Sequence, residues 1–158
     1  NTDSIAGTWN LEGDEYIFAH SWENDEESDV RYFSQLYIVS ADGDYVQPIS
    51  APIPNILIQE ILLSPDETKV GFTYWQPENP LGLSIGVLSI GEINGFRVGD
   101  LCCSLMDRNT VTWSPDNQWL LYIYHSNTST DLRALNLQHG NVYCITNDDW
   151  KENMIDWR

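Results

Sequence analysis

The stretch Val111-Thr112-Trp113-Ser114-Pro115-Asp116-Asn117-Gln118-Trp119-Leu120-Leu121-Tyr122-Ile123-Tyr124 constrains the fold more than any other part of the chain. It reads as strand, tight turn, strand. Val111 to Trp113 is β-branched and aromatic, Pro115 presets φ at the first turn centre, and Asn117 tolerates left-handed backbone geometry. The same frame recurs as Leu63-Ser64-Pro65-Asp66-Glu67 running on to Phe72, and in weaker form from Trp9 through Gly13 to Phe18. In each copy an aromatic stands nine residues after the anchor: Phe18, Phe72 and Tyr122. A fourth copy starts at Ile155-Asp156-Trp157. The anchors Trp9, Leu63, Trp113 and Trp157 lie 54, 50 and 44 residues apart. The shortest of these spacings is the period of a four-stranded propeller blade, about 40–45 residues.

The third copy is the fullest, with Trp113 to Asn117, an apolar strand from Leu132 to Leu137, Gly140, and the close Cys144-Ile145-Thr146. These copies resemble the repeat of TolB-like β-propellers, in which Trp-Ser-Pro-Asp-Gly opens each blade. The second copy departs from that pattern at Glu67, where Gly or Asn is expected, and the first lacks Ser-Pro altogether. The resemblance implies an all-β chain: a partial β-propeller of about three four-stranded antiparallel blades in a single domain. Blade one spans about 6–50, blade two about 58–103 and blade three about 109–147, and the start of a fourth lies at about 153–158. The resemblance also implies a periplasmic or secreted setting and protein–protein contacts. A sandwich of short strands is the competing all-β arrangement.

Strand by strand, the first blade is expected to use residues 6–9, 16–20, 35–40 and 45–49, with Asp42-Gly43-Asp44 as its last turn. Pro52 and Pro54 are expected to keep the next connection out of a ladder. The second blade takes 58–63, 69–75, 83–90 and 96–102, with Pro77 and Pro80 in a loop.

Composition narrows the chemistry. Seven Lys and Arg face 24 Asp and Glu, for a formal charge of −17, and such a surface repels phosphate backbones, which argues against nucleic-acid partners. No apolar run approaches the ~20 residues of a membrane span. Cys102 and Cys103 are adjacent in a predicted strand and point to opposite faces, so with Cys144 they read as thiols.

Motifs for catalysis fail on context. Gly82-Leu83-Ser84-Ile85-Gly86 has the letters of a nucleophile elbow, but Val87 to Gly91 continues as extended chain where the elbow needs a helix. His20 and His125 belong to blades one and three, and His139 to the opposite end of its blade, so no three-histidine metal site is expected. The acidic run from Glu23 to Asp29 lacks the ligand spacing and glycine of a calcium loop. No catalytic residue, metal or cofactor is therefore expected.

A recognition surface fits better. The loops after each second strand lie at one end of the blades, and their roots carry His20 and Trp22, Tyr74 and Trp75, and Tyr124 and His125. Aligning Phe18, Phe72 and Tyr122 makes Ser21, Trp75 and His125 equivalent, so these side chains are expected to converge. Three blades also leave apolar faces uncovered at both ends, which implies a protein partner or self-association closing the ring. The leading reading is a non-catalytic binding module that recognises a protein or extracellular ligand on the long-loop face. The alternatives are the substrate-gating propeller of a prolyl oligopeptidase-like serine peptidase and a propeller-type polysaccharide lyase.

Overall fold

The structure, a computed structural model, describes residues 6–24, 29–91, 96–99, 111–125 and 130–146. The expected start of the fourth blade, the pair Cys102 and Cys103, and most of the acidic run lie outside the described residues. Thirteen strands and no helix are present among those described.

Blade one consists of β1 (Gly7–Trp9), β2 (Glu15–Glu23), β3 (Tyr32–Ser40) and β4 (Val46–Pro48), in that spatial order, with β5 (Ile53–Pro54) also paired to β3. Blade two is β6 (Leu57–Leu63), β7 (Lys69–Gln76), β8 (Asn79–Ser89) and β9 (Phe96–Gly99). Blade three is β10 (Val111–Trp113), β11 (Trp119–His125), β12 (Thr130–Asn136) and β13 (Val142–Cys144). Every pairing is antiparallel between chain neighbours except that of β3 with β5.

The repeat is written into the register. Gly7 lies opposite Phe18, Ile61 opposite Phe72, and Val111 opposite Tyr122, so the aromatic of each copy pairs two residues before its anchor. The fourth residue after each anchor has positive φ: Gly13 at 75°, Glu67 at 57° and Asn117 at 59°. Local chemistry makes these turns. The Ser114 hydroxyl donates to Asp116 at 2.5 Å and accepts from the Trp119 amide at 2.9 Å, and Ser64 does the same with Asp66 and Lys69 at 2.7 and 2.9 Å. The donors Ser114 and Gln118 hold the Asp116 carboxyl below the usual carboxylate range. Burial pushes Asp66 upward, but the hydrogen bonds from Ser64 and Thr68 outweigh it, so that carboxyl too sits low. In the first copy Asn10 replaces the serine, its Oδ1 accepting from the amides of Gly13, Asp14 and Glu15 at 2.9, 3.1 and 3.2 Å.

The turns also grip one another across blades. Asn117 Oδ1 accepts from the Asp66 amide at 3.1 Å, and the equivalent Glu67 accepts through Oε1 from the Leu11 amide. The side chain at the left-handed position thus reaches back to the preceding blade, which explains why Glu67 stands where glycine would satisfy the turn alone. Asn117→Gly keeps the backbone geometry and removes only this grip. We expect it to cost about 0.5–1.5 kcal/mol in urea unfolding, and Asn117→Ala about 1 kcal/mol more because alanine also bears the left-handed penalty.

Two apolar layers hold the blades together. Ile17, Ala19, Leu36 and Ile38 of blade one meet Val70, Phe72, Tyr74 and Leu88 of blade two. Ile85 of blade two meets Val111, Trp113, Leu120, Tyr122 and Leu135 of blade three. Within the second layer the Trp113 Nε1 donates to the Leu62 carbonyl at 3.2 Å, and the Nε1–Cζ2 edge of its indole lies against Gly71, where a Cβ would stand 3.2 Å from Cζ2.

Two expectations need correction. Pro54 enters a ladder, in register with Phe33 at the end of the short strand β5, where its missing N–H costs no central hydrogen bond. Pro80 lies inside β8, and the connection from β7 is a two-residue turn at Pro77-Glu78 with a register shift at Trp75/Gln76, so blade two has no long loop there. The two end faces differ in degree: Trp9 on the outer face of blade one is 52% exposed, while on the far face of blade three Ile123 and Ala134 are buried and Tyr143, on the same face, is 48% exposed.

Candidate recognition site

Strand alternation places Tyr16, Phe18, His20 and Trp22 on one face of β2, turned away from blade two. Their cross-strand partners are Val39, Tyr37, Gln35 and Phe33. The result is an aromatic face that runs the length of the blade. Trp9 and Tyr16 lie 5.0 Å apart by ring centroid, Phe18 stacks on Tyr37 at 5.5 Å, His20 on Trp22 at 5.4 Å, and Trp22 on Phe33 at 5.6 Å. Such contacts fix ring orientation at low entropic cost.

The upper end of this face carries the greatest variety of chemistry. His20 is exposed and Trp22 and Phe33 are half-buried. Arg31 sits beside them, its Nε 3.5 Å from Glu23 Oε1 and its guanidinium 5.3 Å from the centre of the Tyr32 ring. Both members of that ion pair are mostly exposed, so it contributes little to stability and leaves both charges accessible. Below the rim, Ser21 and Ser34 share a 2.6 Å hydrogen bond, and Ser34 donates to the Ile56 carbonyl at 2.9 Å, anchoring this end of the sheet to the start of blade two.

The other expected site residues lie elsewhere. Tyr74 is 1% exposed and belongs to the layer between blades one and two, because β7 alternation points it at blade one. A buried side chain touches no ligand, so Tyr74 leaves the candidate surface. Trp75, half-buried and in register with Leu57 and Leu83, points to the opposite face of β7. Tyr124 packs against the layer between blades two and three, with the Arg133 guanidinium 3.4 Å from its ring centre. His125 ends β11 in register with Thr130. Of the six, the structure brings together His20 and Trp22. Phe33, Tyr32 and Arg31 were not singled out from the sequence, because the third strand was expected to start at residue 35. The alternation Tyr16, Phe18, His20, Trp22 was the signal that β2 continues past His20.

Ser84 of the elbow-like motif lies mid-strand in β8, 6% exposed and in register with Tyr74. Among the described residues, no cluster of three or more His, Cys, Asp or Glu is arranged to hold a metal, and no helix is long and apolar enough to cross a membrane. Cys144 is a free, exposed thiol that donates to the Thr146 carbonyl.

No family model matches the chain, and no curated protein matches it. Solved structures do. TolB from Acinetobacter baumannii superposes with a TM-score of 0.56 at 18% identity, over 89% of this chain and 32% of its own. The β-propeller domain of the Trilobed protease from Pyrococcus furiosus gives 0.59 at 13% identity, over 88% and 41%. An oligogalacturonate lyase in complex with manganese gives 0.58 at 12% identity, over 90% and 36%. The fold is that of a TolB-like β-propeller, of which the described residues form three blades. The chain spans well under half the length of each of these structures. Since they include a protease domain and a lyase, the fold by itself names no reaction.

Proposed function

We infer that this chain is a non-catalytic interaction module of the TolB-like propeller type, recognising a protein or extracellular ligand at the long-loop end of blade one. The observation that carries the reading is the ordered, accessible stack of His20, Trp22 and Phe33 beside Arg31 and Tyr32. Aromatics and arginine on a rigid strand pair are the side chains that dominate protein recognition. A periplasmic or secreted location accords with the same resemblance.

The test is capture by the immobilised intact chain, run beside its Trp22→Ala variant, with the soluble extracytoplasmic proteins of the source cells as input. A retained protein whose apparent Kd weakens about tenfold or more in the variant, with the strand circular-dichroism signal unchanged, supports the reading. Equal retention by the two forms ends it. So does turnover of peptide or oligogalacturonate substrates by the chain.

A further inference from the structure

The outer strands of blades one and three, β4 and β13, share one hydrogen-bond phase. Ile49 and Ile145 donate inward to the carbonyls of Leu36 and Leu132 at 2.9 and 2.8 Å, and the carbonyls of Tyr45 and Asn141 accept from the amides of Ser40 and Asn136 at 3.2 and 2.9 Å. In an antiparallel ladder such bonded positions alternate with positions whose N–H and C=O point the other way. The main-chain groups of Val46 and Pro48, and of Val142 and Cys144, therefore face the rim, where no further strand pairs with β4 or β13 among the described residues. The two edges differ at one place on that rim. Pro48 lies opposite Tyr37, the partner of Phe18, and Cys144 lies opposite Arg133, the partner of Tyr122, so Pro48 and Cys144 are equivalent. A proline has no N–H to offer and blunts an open edge. Cys144 keeps its donor. Residues 141–146 carry no charge, and Val142, Tyr143 and Ile145 are 46%, 48% and 56% exposed.

We propose that the outer edge of β13 is a second interaction site, which takes as an added strand one extended segment of another polypeptide, uncharged where it pairs and flanked by lysine or arginine. Val142 and Cys144 present their N–H and C=O groups to it, and their side chains on one face, with Tyr143 and Ile145 on the other, meet its alternate residues. Trp119 holds Tyr143 in place, the ring centroids 5.5 Å apart. Charge selects the occupant. At a formal charge of −17 two copies of this chain repel one another, whereas a segment with basic flanks is drawn in. The edge is short, so the contact is a weak, exchanging one. A blade stacked on either face of blade three leaves this rim free, so the site does not depend on how the ring is completed. It is also separate from the aromatic surface of blade one and stands without that reading.

The probe is a synthetic peptide of alternating threonine and valine with lysines at both ends, titrated into the intact, isotopically labelled chain under reducing conditions and followed by NMR. Saturable binding with an apparent Kd of about 0.1–1 mM is expected. The amide signals of Val142 and Cys144 should shift more than those of Tyr143 and Ile145, whose N–H groups already point at β12. Cys144→Pro gives blade three what blade one has at Pro48 and is expected to weaken binding about tenfold or more, whereas Cys144→Val keeps the N–H and should change it less than about twofold. Glutamate in place of the peptide's lysines should also weaken binding about tenfold or more. Should Cys144→Pro disturb the blade, Pro48→Val reads the same rule from the other side, since opening β4 should add peptide-dependent shifts there. Absence of saturable shifts at Val142 and Cys144, equal binding by Cys144→Pro or of the glutamate peptide, or a silent β4 in Pro48→Val overturns the proposal. Loss of binding in Trp22→Ala overturns it by placing the peptide on blade one. A concentration-dependent dimer of the chain alone that Cys144→Pro dissociates overturns it too, by making a second copy the occupant.

Discussion

Trp113→Ala is expected to lower stability by about 3–5 kcal/mol, the range for removing a large aromatic from a packed site. Two contributions add at this position. The indole fills the space over Gly71, which has no side chain to collapse inward, so the cavity persists; and the Leu62 carbonyl loses the Nε1 donor across the seam. Urea unfolding of the two proteins side by side measures the difference. A cost below about 1 kcal/mol would show that the two blades are held by something other than this residue. The Gly71→Ala variant probes the same contact from the other side. Its Cβ arrives at 3.2 Å from the indole, so the ring must shift by a few tenths of an ångström, and we expect a smaller loss of about 1–2 kcal/mol.

The second large effect is alkaline. Burial pushes the Tyr122 phenol up to about 12, against a smaller opposing pull from Arg133. An unfolded chain ionises the same group near 10. Below pH 10 both states hold the proton and the contribution is complete. Above it only the unfolded chain releases the proton, so stability falls as pH rises towards 12, by on the order of 2 kcal/mol. Urea unfolding at pH 9, 10 and 11 reads this slope, and Tyr122→Phe should flatten it. The ring itself is 1% exposed and stays in place in the variant, so the comparison isolates the hydroxyl. An unchanged slope in the phenylalanine protein would assign the alkaline loss to other groups.

Much of this architecture is readable from local chemistry. The Ser-Pro-Asp turns, the left-handed position at Asn117 and the aromatic nine residues after each anchor are short-range features, and each has its counterpart in the register and hydrogen bonding. What local pattern does not carry is which face of a strand another sheet covers. His20 and Tyr74 occupy equivalent positions, yet one is exposed and the other sits in a seam, because blade one covers Tyr74 and no described blade covers His20. The same gap made Trp22 look like a loop residue when it is the next outward step of β2. Pro54 and Pro80 were expected to break strands. Each occupies a strand all the same, Pro54 at the tip of β5 and Pro80 one residue into β8, where the ladder begins. Glu67 is the instructive departure: it breaks the turn's residue preference, and its reason lies in another blade, at the Leu11 amide.

The paired volumes at the seams have a consequence for shuffling. Exchanging blades two and three would press the indole of Trp113 into Ile17, set Leu63 against Leu121, and leave Gly71 without the ring that fills the space beside it. The modules are alike in outline yet keyed to a fixed succession, so a permuted or duplicated gene would assemble well only where each bulky residue inherits a neighbour trimmed to receive it.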